Sequence, residues 1–198
     1  MGGHEALGGD GGGHRLKIGI RDTSTDNVYI TPFEKGWNIL ELGGGENPSF
    51  HPNIDFRDLP TVDIVADLEK RLPVEDEIYD GVYSKMVIEH LGWRYHTHFA
   101  SEMFRVLKPG GVAVIICPNT LEQCREIVRR GVIGVKENAM LFGGQEGSWG
   151  ETGNYHKSAF SPTYIVELLI AGGFVKGLVK PVPFVYWDMI IEAYKAED

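Results

Sequence analysis

The chain predicts a doubly wound α/β domain, and three observations carry that expectation. An apolar strand, Ile39-Leu40-Glu41-Leu42, runs directly into Gly43-Gly44-Gly45. A continuous apolar run, 112–117, has the character of a central parallel strand buried on both faces. Around these, short apolar segments alternate with stretches of helical periodicity, as in strands joined by helical crossovers. With 198 residues and 42% apolar content, the chain fits one domain with a substantial core.

The elements follow in order. Residues 1–14 are rich in glycine, lack apolar periodicity and read as a disordered leader, leaving 15–198 as a single domain. Leu16, Ile18 and Ile20 alternate, and Val28-Tyr29-Ile30 repeats the pattern, so short strands or an ordered arm are expected there. Strand one of the main sheet spans 37–42 and the next 53–56. Only seven residues separate Gly45 from Asn53, two of them prolines, whereas a parallel crossover normally takes a dozen or more. The first helix is therefore a single turn or missing. Strands are expected at 62–68 and 79–84, and a helix begins at 86–91. Phe99, Met103, Phe104 and Leu107 give 97–107 one apolar helical face, ended by Pro109-Gly110-Gly111. A further helix covers 121–130, and 140–155 reads as a long functional loop. Ser161-Pro162 caps a helix reaching about Ala171, and two strands, 175–179 and 189–194, close the chain.

The glycine loop carries the chemistry. Successive glycines permit positive φ and close approach of backbone to a ligand, and a loop at the carboxyl end of a parallel strand is a cofactor position. Glu41 and Glu46 would repel a pyrophosphate but suit a ligand bearing a sulfonium and an ammonium. Pro48 also stands where the dinucleotide fingerprint needs its third glycine. These residues favour S-adenosylmethionine over a nicotinamide cofactor.

Composition narrows the partners. A net charge of -9 argues against a nucleic-acid backbone, and Arg125, Arg129 and Arg130 read as a solvated helix face. No apolar run is long enough to span a bilayer. Cys117 and Cys124 provide neither a zinc motif nor a disulfide framework, which fits a reducing, cytoplasmic setting. His96-Thr97-His98 places its imidazoles on different helix faces, and adding Glu89 or His90 does not make a recognised ligand set, so no metal site is expected. Oligomeric state is open.

Four segments in order, with a fifth between the last two, resemble the class I S-adenosylmethionine-dependent methyltransferases. They are Glu41-Leu42-Gly43-Gly44-Gly45; Asp67-Leu68 with Leu72-Pro73; Tyr79-Asp80-Gly81-Val82; and Phe104 to Gly111, the fifth being Val87-Ile88-Glu89-His90-Leu91. The resemblance implies a mostly parallel, seven-stranded sheet whose last strand is antiparallel, with the cofactor across its carboxyl edge. It implies Gly43, Gly44 and Gly45 along the methionyl part of the cofactor and Glu41 near its ammonium. Asp55 would accept from the ribose hydroxyls, with Asp67 as the alternative if the short second strand is absent. Asp67 and Leu68 would flank the adenine, and Ser84 and Lys85 would offer backbone groups near the sulfur.

Methyl transfer asks mainly for alignment, with a base if the acceptor must lose a proton. His156, after the 140–155 loop, and His90, after strand four, are the candidates for that base. Tyr155, Gln145 and Trp149 are possible orienting or closing groups. The expected activity is methyl transfer to oxygen or nitrogen of a small polar metabolite or saccharide. The alternatives are a nicotinamide-dependent oxidoreductase or epimerase, and a catalytically silent binding module.

Overall fold

A computed structural model describes residues 4–6, 16–21, 28–145, 154–181 and 187–197. Seven strands form the main sheet. They are β4 (Ile39–Leu42), β5 (Asn53–Asp55), β6 (Ile64–Val65), β7 (Tyr79–Lys85), β8 (Leu107–Pro118), β9 (Lys176–Pro181) and β10 (Asp188–Tyr194). Their order across the sheet is β6-β5-β4-β7-β8-β10-β9. The pairs from β6 to β8 are parallel, and β10 runs antiparallel to both β8 and β9. The mostly parallel, seven-stranded sheet with an antiparallel last strand is therefore present. The first crossover contains no helix, as the spacing between Gly45 and Asn53 predicts.

Alternation along the strands assigns the two faces. Leu40, Leu42, Ile54, Val82, Ala113, Ile115, Met189 and Ile191 point to one side. Helix α1 (His96–Val106) covers that side with Phe99, Ala100, Met103 and Val106, and α4 (Pro162–Ala171) with Ile165, Leu168 and Leu169. The two helices pack closely, because a Cβ at Gly172 would stand 2.6 Å from that of Ala100. Burying a side chain of leucine or phenylalanine size contributes about 1.5–3 kcal/mol, so this face supplies most of the core.

The opposite face carries Ile39, Tyr83, Val112, Val114, Ile116 and Ile190. A three-stranded antiparallel sheet covers it, formed by β1 (His4–Ala6), β2 (Lys17–Arg21) and β3 (Val28–Glu34). Ile20, Tyr29 and Phe33 supply the contact, with Phe50 of the first crossover edge-on to both Phe33 and Tyr83. Tyr29 also donates to the buried Glu192 carboxylate at 2.7 Å, fastening the small sheet to β10. The alternation at 16–20 and 28–30 thus belongs to an ordered arm. Within the leader, residues 4–6 pair with β2; the rest of 1–14 lies outside the described residues.

Several elements differ from the sequence expectation. The helix expected at 86–91 is a single 3-10 turn, Ile88–His90, entered through Met86 at φ +55° and closed before Gly92. The strand expected at 62–68 shrinks to Ile64–Val65. Asp67 turns the chain by accepting from the N–H groups of Glu69 and, at its carbonyl, Lys70. β8 begins at Leu107, upstream of the proline, because Gly110 at φ +75° absorbs a register shift against β7. The first part of the expected 140–155 loop belongs to helix α3 (Val135–Phe142), which follows α2 (Thr120–Arg130). α3 buries only Glu137, so it shows no apolar periodicity.

Candidate functional site

The carboxyl ends of β4, β5, β6 and β7 bring the expected cofactor residues to one edge. Gly43 lies at φ +78° and Gly45 at φ +57°, where other residues are strained. A Cβ at Gly43 would overlap the Val87 side chain, and one at Gly45 would stand 2.5 Å from the Arg57 guanidinium. A Cβ at Gly44 would meet Asn53 Oδ1 at 2.9 Å. The bend is thus held between β5 and the segment after β7 with no room for side chains.

Glu41 is buried, and its Oε2 accepts from the N–H groups of Ser49 and Phe50 at 2.5 and 2.7 Å. It therefore staples the helix-free crossover, the work a helix would otherwise do. Burial pushes its carboxyl up to about 7, against the lowering effect of those two N–H groups. A carboxyl raised on folding binds its proton more tightly in the native state. Its contribution to stability is complete below about 4.5 and is lost as pH rises through about 7. The free energy lost across that window is on the order of 3 kcal/mol. Glu41→Gln keeps an acceptor for both N–H groups and should flatten the pH dependence of the urea midpoint between 4.5 and 7. An unchanged slope in that variant would show that another group is responsible. Glu46, the other acid of the loop, is exposed.

Asp55 ends β5 and is 3% exposed. Its Oδ1 accepts from Arg57 N and Nε at 2.9 and 3.1 Å, and its Oδ2 from Gly45 N at 3.0 Å and the Arg57 guanidinium at 3.4 Å. The carboxylate thus already fixes the glycine bend, and a hydroxyl pair would have to displace Arg57 to reach it. Asp67 is exposed and pairs with Lys70 at 3.2 Å, while Leu68 beside it is buried. Ser84 is 1% exposed, its Oγ has no hydrogen-bond partner among the described residues, and Lys85 reaches solvent.

One segment further along, the fold brings the two candidate histidines together. His90 and His156 meet edge-on with ring centroids 5.1 Å apart. Nδ1 of His90 lies 3.2 Å from the Tyr155 carbonyl oxygen. Lys157 N–H donates to the Glu89 carbonyl and His156 N–H to that of Phe142, so 154–157 is strapped between α3 and the turn after β7. Burial holds the His90 imidazole down at about 4, helped by the nearby His156, and burial lowers His156 as well. Both rings are neutral at physiological pH, the form that carries a lone pair. Glu89 stands beside them with its carboxyl pushed up to about 8 by burial.

His96 takes no part. It is fully buried, with Nε2 3.0 Å from Ser158 Oγ and Nδ1 3.2 Å from Tyr164 Oη. His98 is exposed on another face. Gln145 sits at φ +53° just after Gly143 and Gly144, and Trp149 lies outside the described residues. The arginines of α2 are each paired, Arg125 with Glu122, Arg129 with Glu126 and Arg130 with Glu137, as a solvated helix face requires.

Sequence reasoning missed three residues of this region. Glu89 was legible as an acid within the otherwise apolar Val87-Ile88-Glu89-His90-Leu91. Gly143 carried only the general signal of a glycine pair. Arg57 carried none, since its partner is known only once β5 is placed.

The comparisons with known proteins agree with this geometry. The sequence pattern of the methyltransferase domain family matches residues 50–115. A protein of Mycolicibacterium smegmatis, described as a probable S-adenosylmethionine-dependent methyltransferase, is 45% identical over 62 residues. That match covers 31% of this chain and 23% of the relative. A solved S-adenosylmethionine-dependent methyltransferase from Methanosarcina mazei superposes with a TM-score of 0.58 at 14% identity, over 84% of this chain and 95% of that one. A solved [4+2]-cyclase superposes with a TM-score of 0.52 at 13% identity, over 82% and 76%. Strand order and superposition give the chain the fold of the class I S-adenosylmethionine-dependent methyltransferases, and its segment 50–115 carries the sequence pattern of their methyltransferase domain. No helix among the described residues is long and apolar enough to cross a membrane.

Proposed function

We propose that the chain transfers a methyl group from S-adenosylmethionine to an oxygen or nitrogen of a small polar metabolite or saccharide. One observation carries the reading. The bend at Gly43–Gly45 carries no side chains and lies against Val87, whose carbonyl accepts from His90 N–H in the turn that brings His90 against His156. A donor bound in the bend would point its reactive end toward the histidines.

The residues present suit the cofactor. Gly43, Gly44 and Gly45 present bare backbone at the edge of the sheet, and the buried Ser84 Oγ lacks a partner among the described residues at the edge of β7. In this reading Glu41, beside its role in holding Ser49 and Phe50, is assigned to the ammonium, Asp55 to the ribose, Asp67 and Leu68 to the adenine, and Ser84 and Lys85 to the sulfur. The cofactor, when bound, supplies an electrophilic methyl group on a positive sulfur. The protein's own work is alignment, exclusion of water and proton transfer. His156 or His90 would take the acceptor's proton, the His90 ring held by the Tyr155 carbonyl and His156 by its backbone bond to Phe142.

Asp55→Asn tests the assignment with a nearly isosteric change. Hydrogen bonds to a charged acceptor contribute about 1.5–3 kcal/mol, so affinity for S-adenosylmethionine should fall roughly tenfold or more by calorimetry. Absence of S-adenosylmethionine binding to the folded wild-type chain would rule the proposal out. A thermal shift with NAD(H) in its place would support the oxidoreductase alternative. The [4+2]-cyclase shows that this fold also hosts other chemistry. A methyl-transfer assay with a panel of hydroxyl and amine acceptors therefore distinguishes an active enzyme from a silent binding module.

A further inference from the structure

Glu89 is an acid that the fold buries beside two histidines. It is 1% exposed, and neither carboxylate oxygen has a hydrogen-bond partner among the described residues. Burying such a group unpaired costs several kcal/mol, so sequences retain one where something else completes it. Opposite it stand the two imidazoles: ligand atoms of Glu89, His90 and His156 all lie within 4.8 Å of one another.

The rings are oriented as ligands would be. Nδ1 of His90 faces the Tyr155 carbonyl at 3.2 Å, so the tautomer that donates there carries its lone pair on Nε2. That nitrogen is 4.0 Å from Glu89 Oε1. His156 is held beside it by its own backbone, whose N–H donates to the Phe142 carbonyl at 3.1 Å. A carbonyl holding one nitrogen while the other turns inward is the arrangement that fixes metal-binding histidines. The charge of Asp188 also bears on Glu89, adding negative field to the cluster.

We propose that Glu89, His90 and His156 bind a divalent transition cation of the zinc type. Two imidazoles and one carboxylate form a three-ligand set that leaves coordination positions open, as catalytic zinc and non-haem iron sites do. Bonds of about 2.1 Å place tetrahedral ligands about 3.4 Å apart, so the cluster would tighten by roughly an ångström on binding. Magnesium, which prefers an all-oxygen shell, is the poorer fit. In methyl transfer the ion would hold an acceptor oxygen and lower its pKa, a role that replaces proton uptake by His90 or His156, whose lone pairs it would occupy. That role rests on the methyltransferase reading, whereas the binding itself does not.

The test uses the full chain stripped with a chelator and titrated with zinc by calorimetry, with cobalt(II) as a spectroscopic probe and magnesium as control. One zinc per chain is expected, with cobalt absorption typical of nitrogen and oxygen ligation. Glu89→Gln and His156→Ala should each weaken zinc at least tenfold, and His98→Ala, at an exposed histidine, should leave it unchanged. Should His156→Ala not fold, Glu89→Gln alone decides, since it keeps the shape of the buried side chain. Failure to bind zinc, or binding indifferent to Glu89→Gln, overturns the site. S-adenosylmethionine titrated into the same samples keeps the two readings apart. Zinc without cofactor binding would overturn the methyltransferase reading, and cofactor without zinc would overturn the metal site.

Discussion

Gly43→Ala is expected to abolish detectable S-adenosylmethionine binding and to lower stability by roughly 2–4 kcal/mol. Two costs add. A non-glycine residue at φ +78° is strained by about 1–2 kcal/mol. The new methyl would also overlap Val87, a β-branched, buried side chain with little rotamer freedom, and overpacking of that kind costs about 1–3 kcal/mol. Gly36 provides the control. It has φ +92° but nothing within 4 Å of a Cβ, so Gly36→Ala should show the strain without the clash. Urea denaturation reads the difference between the two variants. If Gly43→Ala binds the cofactor as wild type does, the bend is not the cofactor site, and the proposed donor position must be given up.

The bend and the sheet were legible because they rest on local signals. An apolar strand into three glycines needs no partner to be recognised, and neither does the run 112–117. Even the missing first helix could be read, since chain length between Gly45 and Asn53 is a hard limit. What replaced the helix could not. Glu41 was read as a charge facing a cationic ligand. In the structure it is a buried staple for Ser49 and Phe50, a role that appears only when the crossover folds back over β4. The same holds for the second face of the sheet. Leu16 to Ile20 alternates weakly, and only the Tyr29–Glu192 bond shows that these strands lie on β10.

The candidate acceptor side was half legible for a related reason. His90 and His156 could be singled out by residue type and position after their strands. Their contact depends on α3, which escaped notice because it buries one acid and no apolar stripe. Glu89 completes the cluster from a position where an acid in an apolar run could equally have capped a turn. Tertiary placement, not propensity, decides such cases.

Gly143→Ala should cut methyl transfer by about a hundredfold while leaving S-adenosylmethionine affinity within about twofold of wild type. Gly143 ends α3 at φ +79°, and a Cβ there would overlap the Asn154 carbonyl and stand 3.0 Å from His156 N. Both obstacles are backbone, so no side-chain rotation relieves them, and 154–156 must move. That movement breaks the bond from His156 N–H to the Phe142 carbonyl and draws the imidazole away from His90. A displacement of about 1 Å at a reacting group can cost about 10²-fold in rate. Gly144 gives the graded comparison, since its Cβ would meet only the Asn154 side chain, at 2.7 Å, and that amide can swing aside. Gly144→Ala should therefore lose far less activity. The proposed cofactor edge lies on β4 to β7, away from Gly143 and Asn154, which is why binding and turnover should separate in Gly143→Ala. Full activity in that variant would mean that His156 neither takes the acceptor's proton nor positions the group that does, leaving His90 as the candidate.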